Sequence, residues 1–184
     1  MRLARRAAEL GREDAVALAA AGFALVTFGE TRDGAAVLER ALAANPNLAW
    51  AWHMSGFAQA LSGHAGDAVE HAMRAIRLSP QDPQGFAMQA VVGLGHFLAG
   101  SPAEALRWSE AAVRERDNFV FAVATLAASA AQAGHAAQAT GAMQRLRELA
   151  PDLRVGNLEE WLKFSEAEDF HRWKSALAEA GLPP

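Results

Sequence analysis

Six histidines are the side chains of this 184-residue chain best suited to metal or acid–base chemistry: His53, His64, His71, His96, His135 and His171. A helical zinc site would pair two of them four apart around a glutamate, as in His-Glu-x-x-His. His64 and His71 are seven apart with Glu70 adjacent, and no other pair comes closer to that pattern. There is no cysteine, so thiolate ligands, disulfides and thiol nucleophiles are all absent. Gly93-Leu94-Gly95 falls inside a helical stretch and does not follow a strand, so it is not a phosphate-binding loop. Serines, histidines and aspartates are present, but nothing marks a nucleophile. No catalytic, metal or cofactor site is assigned, and a non-enzymatic protein is expected.

The elements that would position any site are more legible. Gly22 is answered by Gly56, Gly29 by Gly63, Asp33 by Asp67, Ala41 by Ala75 and Pro46 by Pro80, each pair 34 residues apart. Gly100 to Gly134 and Ala105 to Ala139 repeat the step, whereas Ala68 to Ala105 is 37, placing three extra residues near 82–85. A fixed period of this length marks a helical repeat array. Four units are expected at 15–48, 49–82, 83–119 and 120–153.

Each unit reads as two helices. Ala49 to Leu61 is free of charge, Gly63 ends it, and Asp67 to Leu78 makes a second helix. Glycine past a helix end takes the left-handed conformation without a Cβ clash. Gly22, Gly56, Gly93 and Ala127 leave room at the helix crossing, and Pro46, Pro80 and Pro151 fall past helix ends. Ser101-Pro102-Ala103-Glu104 spells a capping box, and Asp82-Pro83 a second cap-then-proline start. Alanine, about a quarter of the chain, favours helix throughout, and no stretch alternates as a strand would.

The pattern resembles the tetratricopeptide repeat family. Trp52, Gly56, Ala68, Ala75 and Pro80 of the second unit fit that family's bulky, small, small, small and proline positions best. Leu18, Gly22, Gly34, Ala41 and Pro46 follow in the first unit, and Val123, Ala127, Ala139, Leu146 and Pro151 in the fourth. The third departs, with Gln89 at the bulky position and Asp117 in place of proline, and the family's usual tyrosine is missing everywhere. The resemblance implies an all-α, right-handed superhelical solenoid whose first helices line a concave groove. On this chain the groove positions include Val16, Phe23, Trp50, His53, Phe57, Leu61, Leu94, Phe97, Phe121 and Gln132. The family's carboxylate-gripping lysine/asparagine clamp is absent. The implied function is a protein–protein interaction scaffold that takes a peptide, helix or partner domain in an apolar groove. The alternative is a self-associating array, such as a homodimer, whose groove is covered by its own chain or a second copy.

Both ends lie outside the four units. Residues 1–14 read as the second helix of a partial repeat, or as a cap, with Leu3, Ala7 and Leu10 as an apolar stripe and Arg12 at the proline position. This start suggests a fragment of a longer protein. It is no signal peptide, because Glu9, Glu13 and Asp14 interrupt the apolar run. Ala15–Gly29 is shorter than the ~20 residues a membrane helix needs. Residues 154–184 are expected to form capping helices at Leu158–Phe164 and Glu166–Ala180, the second begun by Ser165 with Glu168 and ended by Gly181. The Glu-Asp-Phe-His-Arg-Trp and Ala-Leu-Ala-Glu-Ala-Gly-Leu-Pro-Pro phrases are similar to the C-termini of certain bacterial regulators. In those, a class III adenylate/guanylate cyclase domain or a winged-helix domain precedes the repeats. That resemblance implies a regulatory region of a signalling protein.

Composition narrows the partners. A net charge of −4 and no basic cluster beyond Arg2, Arg5 and Arg6 argue against a nucleic-acid surface. The 52% hydrophobic and 21% charged content is that of a folded chain, expected in the cytoplasm with no membrane partner.

Overall fold

The computed structural model describes residues 2–11 and 14–184; Met1, Arg12, Glu13 and the side chain of Leu10 lie outside it. Among the described residues all regular structure is helical. In chain order the helices are α1 (Arg2–Leu10), α2 (Ala15–Thr27), α3 (Thr31–Ala44), α4 (Ala49–Leu61), α5 (Ala65–Leu78) and α6 (Gly85–Leu98). They continue with α7 (Pro102–Glu115), α8 (Val120–Gln132), α9 (Ala136–Leu149), the short α10 (Leu158–Trp161) and α11 (Ala167–Glu179).

Charge separates the two helices of each pair. α2, α4, α6 and α8 contain no Asp, Glu, Lys or Arg, so they are apolar all round and are packed on several sides. α3, α5, α7 and α9 carry the charges on one face and bury the other, for example at Leu38, Ala72, Ala112 and Leu146. The pairs α2/α3, α4/α5, α6/α7 and α8/α9 stack into a solenoid with the charge-free helices on its inner side.

Each pair is held close by small residues. A Cβ on Gly34 would lie 2.5 Å from Val26 Cγ2 and 2.7 Å from the Gly22 carbonyl. The reciprocal atom on Gly22 would be 2.9 Å from the Gly34 carbonyl. Gly56 faces the backbone of Ala68 and Ala72 at 3.0 Å in the same manner. The turns between paired helices are built identically. Gly29, Gly63, Gly100 and Gly134 all have φ between 70 and 88°. After α2, for example, the Gly29 amide donates to the Val26 carbonyl and the Glu30 amide to the Leu25 carbonyl, each at 2.9 Å. That Schellman arrangement satisfies carbonyls a helix end would otherwise leave open.

Several local starts differ from the sequence expectation. Ser101 makes no side-chain cap, although Pro102 does open α7. Its amide is committed to the His96 carbonyl in the preceding turn, and Glu104 is drawn to Arg107, 2.6 Å away. Asp82 accepts from the Gln84 amide at 2.9 Å, which forms a turn and delays α6 to Gly85. The first C-terminal helix shrinks to Leu158–Trp161 behind a 3-10 turn at Val155–Asn157. α11 starts at Ala167 behind Glu166 with no side-chain cap, and the Ser165 amide bonds the Leu61 carbonyl at 2.7 Å. Gly181 ends α11 at φ 102°. On α1 it is Ala8 that is buried, whereas Leu3 and Ala7 face outward.

The C-terminal segment does not extend the stack. α11 turns inward and crosses α8 and α6 on the inner face. Trp173 is fully buried there, edge-on to Phe97 with ring centres 5.5 Å apart. The strap and α11 together meet the ends of three inner helices. Lys163 lays its stem over Gly29 after α2, Ser165 bonds Leu61 of α4, and Arg172 donates to the Leu98 carbonyl of α6. A guanidinium at a helix C-terminus is favoured by the open carbonyls and the helix dipole.

Candidate functional site: an aromatic groove on the inner face

α11 covers only one half of the inner face. The other half is an open cavity of about 640 Å³ lined by α2, α4, the first turns of α6, the start of α8 and residues 161–163. Its walls include Phe23, Trp50, Phe57, Phe86, Phe119, Phe121 and Trp161. The aromatic rings pack on one another. Phe57 meets Phe121 edge-on at 5.7 Å and Phe23 at 6.4 Å, and Phe86 meets Phe119 edge-on at 5.0 Å. Such pairing holds the rings in place without filling the space between them.

The ten groove positions divide accordingly. Phe23, Trp50, His53, Phe57, Leu61 and Phe121 line the cavity. Leu94 and Phe97 are fully buried and line no part of it; Phe97 packs against Trp173 of α11. Gln132, at the end of α8, is likewise absent from the lining, and its Oε1 is buried with no hydrogen-bond partner. Val16 is exposed at the edge of the array, beside Asn45. Phe86, Phe119 and the 161–163 segment were not among the expected positions. The two phenylalanines stand at or just before a helix start, outside the repeat positions assigned to the groove. Residues 161–163 lie beyond the repeats and reach the cavity only because the strap folds back.

Polar groups in the cavity are few. His53 is 4% exposed, and its Nδ1 has no hydrogen-bond partner. Burial holds its pKa down at about 4, opposed by the nearby Asp82 carboxylate and a backbone hydrogen bond to Ala87. The ring is therefore neutral at pH 7. The unfolded chain takes up this proton near pH 6.5, whereas the folded one waits until about pH 4. Stability is thus full above pH 6.5 and falls as the pH drops toward 4, by about 3 kcal/mol in all for a shift of this size. His71 and His96 shift the same way, also led by burial. Urea denaturation at pH 7 and pH 4.5 is expected to show this loss, and His53→Gln to flatten it. An imidazole titration by NMR with its midpoint above pH 6 would contradict the assignment.

Trp52, one residue from His53 in sequence, belongs to the opposite side. Its Nε1 donates to the Pro46 carbonyl at 2.8 Å, and it sits between His71 and the Arg74 guanidinium. His71 in turn hydrogen-bonds the buried Ser55 hydroxyl at 2.9 Å. This pair knits α4 to α5 and has no access to the groove. Among the described residues no group of three or more His, Asp or Glu side chains could hold a metal ion.

Solved structures share this architecture along nearly the whole chain. YrrB, a TPR protein described as having an unusual peptide-binding site, superposes with a TM-score of 0.60 at 18% identity, covering 96% of this chain and 90% of its own. PilW, a widely conserved type IV pilus biogenesis factor, gives 0.71 at 15% identity, covering 95% and 81%. MamA gives 0.61 at 16% identity, covering 90% and 86%. The fold is a tetratricopeptide-repeat solenoid. No protein-family model and no curated protein matches the sequence. In this TPR solenoid α11 packs against α8 and α6 and occupies part of the inner face. Among the described residues no helix is long and apolar enough to cross a membrane.

Proposed function

We propose that this chain is a non-catalytic interaction scaffold whose open half-groove takes an apolar segment of a partner protein. The observation that carries the reading is the aromatic cavity between α2, α4, α6 and the 161–163 strap. A concave, mostly apolar site with a few polar groups is the usual form of a binding pocket. An apolar patch left open on a folded protein marks an interaction surface more often than a defect. A role inside a bacterial signalling protein rests on the C-terminal sequence phrases, and a preceding domain of that protein would be one occupant.

The test uses 16-residue peptides selected from a display library against the full chain. Phe57→Ala removes the ring that bridges Phe23 and Phe121. It is expected to weaken selected peptides by at least about 30-fold, the scale of an interface hot spot. Circular dichroism should stay unchanged, and Trp50→Ala provides a second variant. Recovery of no binding peptide, or affinities indifferent to both substitutions, would sink the groove as the binding site.

A further inference from the structure

The inner face already holds one helix, and that helix shows what chemistry the face accepts. α11 buries Trp173 and Leu177 completely and half-buries Phe170, an i, i+3, i+7 stripe, while Glu168 stays outside. Its acidic end, Glu166 and Asp169, lies over the Gly63 turn at the end of α4. The open half of the groove is continuous with this seat: Leu61 lines the cavity and also accepts the strap hydrogen bond that leads into α11.

Charge in the cavity is one-sided. Lys163 is the only Lys, Arg, Asp or Glu among the residues lining it. Lys163 is exposed and has no carboxylate within ion-pairing distance among the described residues. At the far end the Arg116 guanidinium stacks on Phe86, 4.7 Å from the ring centre.

We propose that the open half-groove binds an amphipathic helix of a partner protein, with large apolar anchors at i, i+3 and i+7 and a carboxylate that meets Lys163. This deepens the scaffold reading above and rests on it. An amphipathic helix laid in a groove presents its anchors at that spacing. A single unpaired ammonium beside an apolar floor selects a complementary charge more than it adds affinity.

The sequences selected by the full chain read this directly. Enrichment of Asp or Glu beside aromatic or aliphatic anchors is expected, with Lys163→Glu weakening those peptides about tenfold and the loss shrinking in high salt. Arg114→Glu, an exposed reversal on α7, serves as a control expected to leave affinity unchanged. Phe57-dependent peptides that are neutral or basic, or indifferent to Lys163→Glu, would overturn this inference and leave the scaffold reading standing. Absence of any Phe57-dependent peptide would instead remove the scaffold reading itself. Sedimentation at rising concentration tests the rival occupant: a dimer abolished by Phe57→Ala would assign the groove to a second copy and overturn the proposal.

Discussion

Trp173→Ala is expected to cost about 3–5 kcal/mol, the range for deleting a fully buried aromatic side chain. The indole is 0% exposed and wedged between Phe97 of α6 and Phe164 of the strap, at 5.5 and 6.3 Å between ring centres. Its Nε1 finds no acceptor, so the ring contributes through shape and apolar area rather than a hydrogen bond. Trp173→Phe should therefore cost markedly less than the alanine. Losing the wedge uncovers Phe97, so a dye that fluoresces on apolar surfaces should bind the alanine variant more strongly. Denaturant midpoints check the order. A Trp173→Ala midpoint no lower than that of Trp161→Ala, where the ring is half-exposed, would show that α11 is not seated this way.

Gly34→Ala should be the most damaging of the conservative glycine substitutions in the repeats. Alanine gains up to about 1 kcal/mol in a helix over glycine from backbone entropy. At Gly34 that gain is overwhelmed, because the new methyl meets Val26 at 2.5 Å and the Gly22 backbone at 2.7 Å. Backbone cannot swing aside as a side-chain tip can, so α2 and α3 must separate. Overpacking of this kind costs about 1–3 kcal/mol, more where the neighbours are rigid. Gly141 supplies the opposite sign. It lies in α9, and a methyl added there would meet nothing within 4 Å, so Gly141→Ala should stabilise by about 0.5–1 kcal/mol. Thermal melts of the two variants should move in opposite directions. Equal shifts would mean that helix propensity, and not the α2/α3 crossing, sets the requirement at Gly34.

The repeat was legible because its information is local. Gly22 and Gly34 are twelve residues apart, and each Schellman glycine bonds within its own turn, so spacing along the chain reports contact in space. The charge-free first helices announced in the same way that they would be covered on several sides. Local capping was less legible. Ser101 and Glu104 had the right spacing, but the preceding turn and Arg107 compete for the same groups. The groove was half legible. Phe23, Trp50, His53, Phe57, Leu61 and Phe121 were placed by repeat position, whereas Phe86, Phe119 and Lys163 reach the cavity from outside that pattern.

By itself, the sequence determined an all-helical array of paired helices and the turns that join them. These follow from spacings of a few residues to one repeat, where helix geometry converts sequence distance into spatial distance. Only the tertiary structure decided which part of the inner face stays open. That depends on α11 folding back, so that Arg172 meets the Leu98 carbonyl across 74 residues of chain. No periodic pattern spans that interval, and the match is between two complementary surfaces, which one strand of sequence does not display.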